Sequence, residues 1–158
     1  HTVGLHSNSH NYAKIYQSTA AYYKDLNAIS NTVKKYTGVE SKVIRFPGGG
    51  SNTISRNYCK GIMTTLSASV TKKGYTYFDW NVDSCDASAN TVSTTKIVNN
   101  VLNSAKGKSS ICVLMHDSSA KTTTVEALPK IIVGLKKQGF TFAPLTKECY
   151  GYHHAVNN

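Results

Sequence analysis

A short β-prone run that ends in a proline and glycine cluster decides the fold: Lys42-Val43-Ile44-Arg45-Phe46-Pro47-Gly48-Gly49-Gly50. β-Branched and aromatic residues favour a strand, whereas proline and consecutive glycines end it and leave accessible backbone in the loop that follows. Before this run, apolar residues recur at three- and four-residue steps from Tyr22 to Tyr36, and Gly38 stands just beyond them. This spacing predicts an amphipathic helix over about residues 18–36, then a strand, then a loop.

The same order of helix, strand and polar loop repeats along the rest of the chain. Apolar periodicity predicts helices around residues 62–70, 97–102 and 125–135, and strands at 75–80, 111–115 and 140–143. Strands that alternate with helices pair in parallel through right-handed crossovers, so the sequence predicts an α/β protein. A length of 158 residues suits one domain.

Polar side chains stand at the carboxyl ends of three predicted strands. Arg45 ends the first strand, Asp83 and Asp86 follow the second, and His116 and Asp117 open the loop after the third. Chemistry in α/β sheets gathers beyond the carboxyl ends of the strands, so the arginine, the first two aspartates and the histidine are expected to converge. Each of them alone also has an ordinary structural explanation as an ion-paired surface residue, a turn residue or a core histidine.

A pair of histidines four residues apart suggests a metal site: His6-Ser7-Asn8-Ser9-His10. On a helical turn this spacing places both imidazoles on one side, where they reach one cation. Neutral imidazole suits zinc and other borderline divalent metals. Because a catalytic zinc takes three protein ligands, the third must be Asp83, Asp86, Asp117 or a residue outside the chain.

Charge and hydropathy exclude several classes of protein. Basic residues outnumber acidic ones by 18 to 8, which favours polyanionic partners such as an anionic cell wall. Six of the lysines form three pairs at predicted helix ends, however, and no nucleic-acid-binding motif is present. Hydrophobic residues make up 40% of the chain, which argues against disorder. No apolar run approaches the ~18 residues that a membrane span needs, and the first residues do not resemble a signal peptide.

The four cysteines are scattered, with no Cys-x-x-Cys pair that would indicate zinc or redox chemistry. Cys112 lies within an apolar run and is expected to be a small buried hydrophobe. Cys59 and Cys149 could be bridged or unbridged, and the sequence does not decide between these alternatives.

Four motifs, in this order along the chain, resemble those of the polysaccharide deacetylases of carbohydrate esterase family four. They are the runs 6–10 (His-Ser-Asn-Ser-His), 45–49 (Arg-Phe-Pro-Gly-Gly), 79–86 (Asp-Trp-Asn-Val-Asp-Ser-Cys-Asp) and 113–117 (Val-Leu-Met-His-Asp). Residues 124–129 and 139–142 also look like the last helix and strand of that family. The resemblance covers nearly the whole chain and is closest to the peptidoglycan N-acetylglucosamine deacetylases of Gram-positive bacteria.

The resemblance implies a distorted (β/α) barrel, with residues 1–158 forming a single NodB-like catalytic domain that lacks its first βα segment. It implies a hydrolase that uses a divalent metal, zinc first among the candidates, to remove acetyl groups from N-acetylglucosamine residues of a cell-wall polysaccharide. Peptidoglycan is favoured over chitin and xylan. The implied location is extracellular or at the bacterial cell surface, with an upstream membrane anchor as one option. The alternative is a catalytically silent carbohydrate- or metal-binding module on the same fold.

The resemblance also implies roles for particular residues. His6 and His10 bind the metal, and His116 is the general acid that protonates the departing amine. Asp86 tunes His116 and is itself paired with Arg45. These roles agree with the chemistry of the side chains, because a metal polarises the acetyl carbonyl and a neighbouring carboxylate favours the imidazolium that donates a proton.

The loop at Pro47 and Gly48 is expected to offer a backbone N–H to the developing oxyanion.

Three departures from the family pattern accompany these matches. The first motif, Thr-Phe-Asp-Asp-Gly, supplies the catalytic base and the third, carboxylate ligand, and it is absent from these residues. The chain is therefore expected to be N-terminally incomplete and to fold poorly without the missing segment, supplied in cis or by a second chain. Gly48 and Ala87 stand where the family usually has an aromatic residue and a tryptophan.

Overall fold

The computed structural model describes residues 1–158, which form two compact units. The first unit comprises residues 1–79 and 144–158, and the second comprises residues 80–143. Each unit contains one pair of short parallel strands with helices packed against it, so both units are of the α/β class. No helix combines the length and the apolar character that crossing a membrane requires.

The strands of the first unit place the histidine motif next to the sheet. Strand β1 (Val43–Ile44) pairs in parallel with β2 (Thr76–Tyr77), and Leu5 forms a parallel bridge with Ile44 on the other side. The Leu5 N–H donates to the carbonyl of Val43 at 2.8 Å. The helices of this unit are α1 (Tyr12–Ile15), α2 (Thr19–Thr37) and α3 (Ile62–Lys72).

Helix α2 begins and ends where the sequence predicts. The Ser18 hydroxyl accepts a hydrogen bond from the Ala21 N–H at the start of the helix. At the other end Gly38 has a φ of 74°, a left-handed conformation that glycine adopts without strain, and its N–H donates to the Lys34 carbonyl. The apolar stripe packs into the core of the first unit, which includes Leu5, Ile15, Tyr16, Tyr22, Leu26, Ile44, Phe46, Met63 and Leu66.

The second unit is built from two strands and two long helices. Strand β3 (Val82–Asp83) pairs in parallel with β4 (Val113–Leu114), and a 3-10 turn covers Asp86–Ser88. Helices α4 (Thr94–Ala105) and α5 (Thr122–Lys137) pack against each other. Their contact is close at Gly134, where a Cβ atom would lie 2.6 Å from Leu102 Cδ1. The core of this unit includes Val82, Ile97, Val101, Ala127, Ile131 and Leu135.

Several predicted elements need correction. The strands predicted at 42–46, 75–80 and 111–115 are confirmed in place and in parallel pairing, but each is only two residues long. The strand predicted at 140–143 is wrong, because these residues pair with no strand and the Phe142 side chain is exposed. Asp83, predicted to lie in a loop, is part of β3. Apolar and aromatic composition identifies extended backbone, but a strand also needs a neighbour within hydrogen-bonding distance.

The cysteines and lysines behave largely as expected. No disulfide bond joins any of the four cysteines, and Cys112 is buried as predicted. The lysine pairs 34–35, 72–73 and 136–137 lie in or directly after the last turns of α2, α3 and α5. At these positions their charges complement the helix dipoles.

Candidate functional site

The two histidines of the first motif lie side by side in an exposed loop. The ring centroids of His6 and His10 are 5.1 Å apart. The expectation that a helical turn brings them together is wrong, because the segment is not helical. Ser7 and His10 instead have φ angles of 83° and 49°, and these two left-handed residues fold the loop back on itself. His6 Nδ1 lies 2.9 Å from the carbonyl oxygen of Arg45, a contact that fixes the orientation of the His6 ring.

A carboxylate on helix α2 holds this loop. Asp25 Oδ2 accepts hydrogen bonds from the Ser7 hydroxyl and the Asn8 N–H, both at 2.7 Å, and Oδ1 accepts from the Ser9 N–H at 3.1 Å. Partial burial acts to raise the pKa of the Asp25 carboxyl, but the hydrogen bonds outweigh it and hold that pKa below its usual range. Sequence reasoning missed Asp25, because its partners lie 16 to 18 residues away and no local spacing indicates the contact.

The histidine pair fits part of a metal site. Two imidazoles are suitable ligands for zinc or a similar divalent ion, and their rings are close enough to share one. No group of three or more His, Cys, Asp or Glu side chains is arranged to hold a metal ion. The geometry of His6 and His10 is therefore compatible with two ligands of one metal ion.

The backbone N–H of Gly48, in the loop after β1, is left unused. The Gly49 N–H donates to the Phe46 carbonyl at 2.8 Å, and the Gly50 N–H donates to Asp79 Oδ1 at 2.7 Å. The N–H of Gly48, which is exposed and has a φ of 79°, has no acceptor in the protein. A backbone N–H of this kind is available to a ligand oxygen.

Two tyrosines of the α1 region flank the same loop. The Tyr16 hydroxyl donates to the carbonyl oxygen of Pro47 at 2.7 Å. The Tyr12 hydroxyl lies over Gly48, only 2.5 Å from where a Cβ atom of residue 48 would stand. The Tyr12 ring is also 5.8 Å from the His10 ring, measured between centroids. The Tyr12 side chain therefore occupies the space that a side chain on residue 48 would need.

Asp79 anchors the loop after β1 through its side chain. Its carboxylate is fully buried and accepts hydrogen bonds from the Gly50 N–H and, at 2.9 Å, from the His154 N–H. Arg45, at the end of β1, donates from Nε to the carbonyl oxygen of Phe78 at 3.1 Å. Sequence reasoning did not assign a role to Asp79, whose buried position becomes apparent only once β2 and the C-terminal residues are in place.

In the second unit the structure brings Asp86 and His116 together. Asp86 Oδ1 lies 2.7 Å from His116 Nδ1, and Oδ2 accepts the His116 backbone N–H at 2.8 Å. The Thr124 hydroxyl donates to Oδ2 at 3.0 Å. Asp86 is buried, whereas the His116 side chain is 40% exposed and its Nε2 has no hydrogen-bond partner in the protein. This is the arrangement of a histidine oriented by a carboxylate and open to a ligand on its other nitrogen.

The hydrogen bonds also keep Asp86 ionised. Burial acts to raise the pKa of the Asp86 carboxyl, but the bonds from the His116 side chain, the His116 N–H and Thr124 outweigh it. The pKa of Asp86 therefore lies below its usual range. At neutral pH the carboxylate is charged and acts as an acceptor only.

The other aspartates of the second unit do not join this pair. Asp83 is exposed on β3, and its Oδ1 accepts the Cys85 N–H at 2.8 Å. Asp117 is exposed as well. Arg45 belongs to the first unit. Within the second unit, the structure thus places Asp86 and His116 in direct contact.

A buried lysine lies under the segment that carries Asp86. Lys121 Nζ donates to the carbonyl oxygens of Asp86, Ala89 and Asn90, at 2.7, 2.6 and 3.2 Å. Only 9% of Lys121 is exposed. Sequence reasoning missed this residue because lysines are almost always on the surface, and no local pattern distinguishes this one.

Comparison with known proteins gives consistent matches. The sequence model of the polysaccharide deacetylase family matches residues 1–65 of this chain. The catalytic domain of the peptidoglycan N-acetylglucosamine deacetylase from Eubacterium rectale is 44% identical, with a TM-score of 0.95 over 100% of this chain and 71% of that one. A polysaccharide deacetylase from Bacillus cereus is 29% identical, with a TM-score of 0.81 over 98% of this chain and 71% of that one.

A curated relative points the same way. The peptidoglycan-N-acetylglucosamine deacetylase of Bacillus cereus is 30% identical over 161 residues, which cover 99% of this chain and 54% of the relative. The chain spans about half the length of the curated relatives that match it over nearly its whole length.

Proposed function

Because this chain belongs to the polysaccharide deacetylase family, we propose that it acts as a metal-dependent hydrolase on the N-acetyl groups of a cell-wall polysaccharide. Peptidoglycan is the proposed substrate, with N-acetylglucosamine as the residue that loses its acetyl group. The observation that carries the proposal is the pair formed by buried Asp86 and half-exposed His116, because amide hydrolysis needs a group that can protonate the departing amine. The names of the relatives from Eubacterium rectale and Bacillus cereus support the choice of substrate.

His116 is proposed as the general acid. Asp86 fixes the ring through Nδ1 and stabilises positive charge on it, which leaves Nε2 to donate a proton. As the bond between the acetyl carbon and the sugar nitrogen breaks, that proton goes to the nitrogen, so a neutral amine leaves.

His6 and His10 are proposed as two ligands of a divalent metal, zinc first among the candidates. The chemistry that such an ion supplies when bound is Lewis-acid polarisation of the acetyl carbonyl and activation of a water molecule. We place the third ligand and the catalytic base on a segment outside residues 1–158, in the same gene product or on a second chain. The family resemblance assigns both functions to its first motif.

The Gly48 N–H is proposed to donate to the carbonyl oxygen of the acetyl group. That oxygen gains negative charge as the tetrahedral intermediate forms, and a donor that is already fixed in place stabilises it. The turn at Gly49 and the Asp79 anchor hold the loop in position, so the donor needs no rearrangement.

The proposed substrate lies outside the cell membrane, so we also propose an extracellular or cell-surface location. The net charge of +10 fits this location, because cell walls carry anionic polymers that attract basic proteins.

Acetate release tests the proposal. The full gene product is incubated with peptidoglycan, an N-acetylglucosamine oligosaccharide and acetylated xylan, with and without a metal chelator. We expect metal-dependent release from the first two substrates, its loss in His10→Ala, and its retention in Lys14→Ala, an exposed change on α1. If the protein binds metal through the histidine pair and polysaccharide but releases no acetate, the silent binding module is the better interpretation.

A further inference from the structure

We propose that Lys121 and Thr124, at the start of α5, are positioning residues that hold Asp86 in the orientation His116 requires. The inference rests on the proposed function in one respect, because it assigns these residues to the general acid of that reaction. It concerns residues of the second unit alone.

The Lys121 ammonium is bonded only to backbone carbonyl oxygens. A lysine ammonium has three N–H donors, and each has one carbonyl acceptor here, on Asp86, Ala89 and Asn90. Lys121 makes no ion pair with a carboxylate, although burying a charge is unfavourable unless it is compensated. The compensation therefore comes from three oriented carbonyl dipoles, and it is complete only when residues 86–90 keep this conformation.

Asp86 is held both at its backbone and at its side chain. Lys121 binds its backbone carbonyl at 2.7 Å, and Thr124 binds its carboxylate oxygen Oδ2 at 3.0 Å. Thr124 is itself buried. Positions 121 and 124 are three apart at the beginning of α5, so a single helical turn supplies both contacts.

These contacts determine the position of His116 indirectly. Both Asp86 carboxylate oxygens bind His116, Oδ1 through the ring and Oδ2 through the backbone. A shift of Asp86 therefore shifts or releases the imidazole. Neither Lys121 nor Thr124 touches His116 itself, so their effect on the reaction passes through Asp86.

The first test replaces Lys121 by Met in the full gene product, with Lys130→Met, an exposed lysine on the same helix, as the matched control. Two readouts are made: steady-state acetate release, and the proton NMR resonance of the His116 Nδ1–H hydrogen bond to Asp86. We expect Lys121→Met to lower kcat by about 100-fold with KM nearly unchanged, and to weaken or abolish the Nδ1–H resonance. Lys130→Met should match the wild type in both readouts.

A second pair of variants separates positioning from a general loss of stability. Thr124→Val keeps the shape of the side chain but removes the hydroxyl, whereas Thr124→Ser keeps the hydroxyl. We expect Thr124→Val to alter the Nδ1–H resonance and the pH profile of kcat, and Thr124→Ser to restore both. A folded Lys121→Met or Thr124→Val protein with the wild-type resonance and kcat would overturn the inference. If the wild type releases no acetate, the proposed function fails, while the resonance still decides whether α5 positions Asp86.

Discussion

At the residue scale, two aspartates fix the groups assigned to the chemistry. Asp25 accepts three hydrogen bonds from the loop that carries the histidine pair, and Asp86 accepts three from His116 and Thr124. In both cases hydrogen bonds to the charged form outweigh burial and lower the pKa of the carboxyl. Both carboxylates are therefore charged at neutral pH.

Removal of the Asp25 carboxylate should weaken metal binding. Asp25→Ala leaves Ser7, Asn8 and Ser9 without their common acceptor, so the loop loses the conformation that brings the two imidazoles together. We expect zinc affinity to fall by about 10- to 100-fold, measured by competition with a chromophoric chelator. Lys24→Ala, an exposed neighbour on α2, is the control and should leave the affinity unchanged. Equal affinity of Asp25→Ala and wild type would contradict this role.

The stability contributed by Asp86 should depend on pH. Its folded-state pKa lies below the unfolded value of about 3.9, so the native state favours the charged form more than the unfolded chain does. This contribution is fully present above the unfolded pKa and is lost as the pH falls through the folded pKa. In urea unfolding at pH 6 and at pH 3, the difference between wild type and Asp86→Asn should shrink at the lower pH.

The exposed Asp117 supplies the control for this experiment. Asp117→Asn removes a carboxylate that has no hydrogen bond in the structure, so it should change the free energy of unfolding little at either pH. If the difference in free energy of unfolding between wild type and Asp86→Asn is larger at pH 3 than at pH 6, the pKa of Asp86 is not lowered by folding and the prediction is wrong.

The sequence predicts the candidate catalytic and metal-binding residues, but it does not predict the residues that fix their positions. His6, His10, Asp86 and His116 are found from motif order, which depends on residue type and position along the chain. The contact between Asp86 and Lys121 joins residues 35 apart in the chain. Its acceptor is a backbone carbonyl, which every residue type has, so no sequence motif indicates the contact. The conformation of the histidine loop was also mispredicted, because the four-residue spacing fits a helix as well as a loop with left-handed residues.

At the element scale, α4 and α5 are in close contact at Gly134 and Leu102. Because of this contact, the effect of Gly134→Ala on the free energy of unfolding should depend on the size of residue 102. A Cβ atom on Gly134 would lie 2.6 and 2.7 Å from the Leu102 Cδ atoms and 3.2 Å from Cγ, so the whole side chain would have to move. Gly134→Ala should therefore destabilise the protein by about 1 kcal/mol or more despite the better helix propensity of alanine.

The same change should stabilise the protein when Leu102 is already shortened. In a Leu102→Ala background the space is open, and the gain in helix propensity of about 1 kcal/mol should then appear. The measurement is the free energy of unfolding of all four proteins in a double-mutant cycle. Additive effects, with Gly134→Ala equally unfavourable in both backgrounds, would contradict the contact.

Helices were predicted better than strands because their signals are local. The start and end of α2 follow from Ser18, Gly38 and a periodic apolar stripe, all within the segment itself. Strand length depends instead on how far a neighbouring strand runs alongside, which composition does not encode. This is why β1 and β2 were located correctly but overextended, and why residues 140–143 form no strand.

At the scale of the whole molecule, each unit has its own core and its own candidate residues. The first unit holds the histidine pair and the Gly48 donor, and the second holds Asp86 and His116. The order of four motifs along the chain was enough to predict the family, because several independent matches in one order are far more specific than any single one. The barrel, the metal and the substrate stay predictions. They depend on the bound metal, the bound polysaccharide and chain segments other than residues 1–158.

The measurement that tests the central claim most directly is mass spectrometry of peptidoglycan fragments after treatment with the full gene product and its His116→Ala variant. The wild type should convert N-acetylglucosamine to glucosamine, and Asp117→Ala should do so at a similar rate. His116→Ala should be slower by about 100- to 10,000-fold, the usual contribution of a general acid. Fragments that keep every acetyl group after treatment with the metal-loaded wild type, or equal conversion by His116→Ala, would contradict the account.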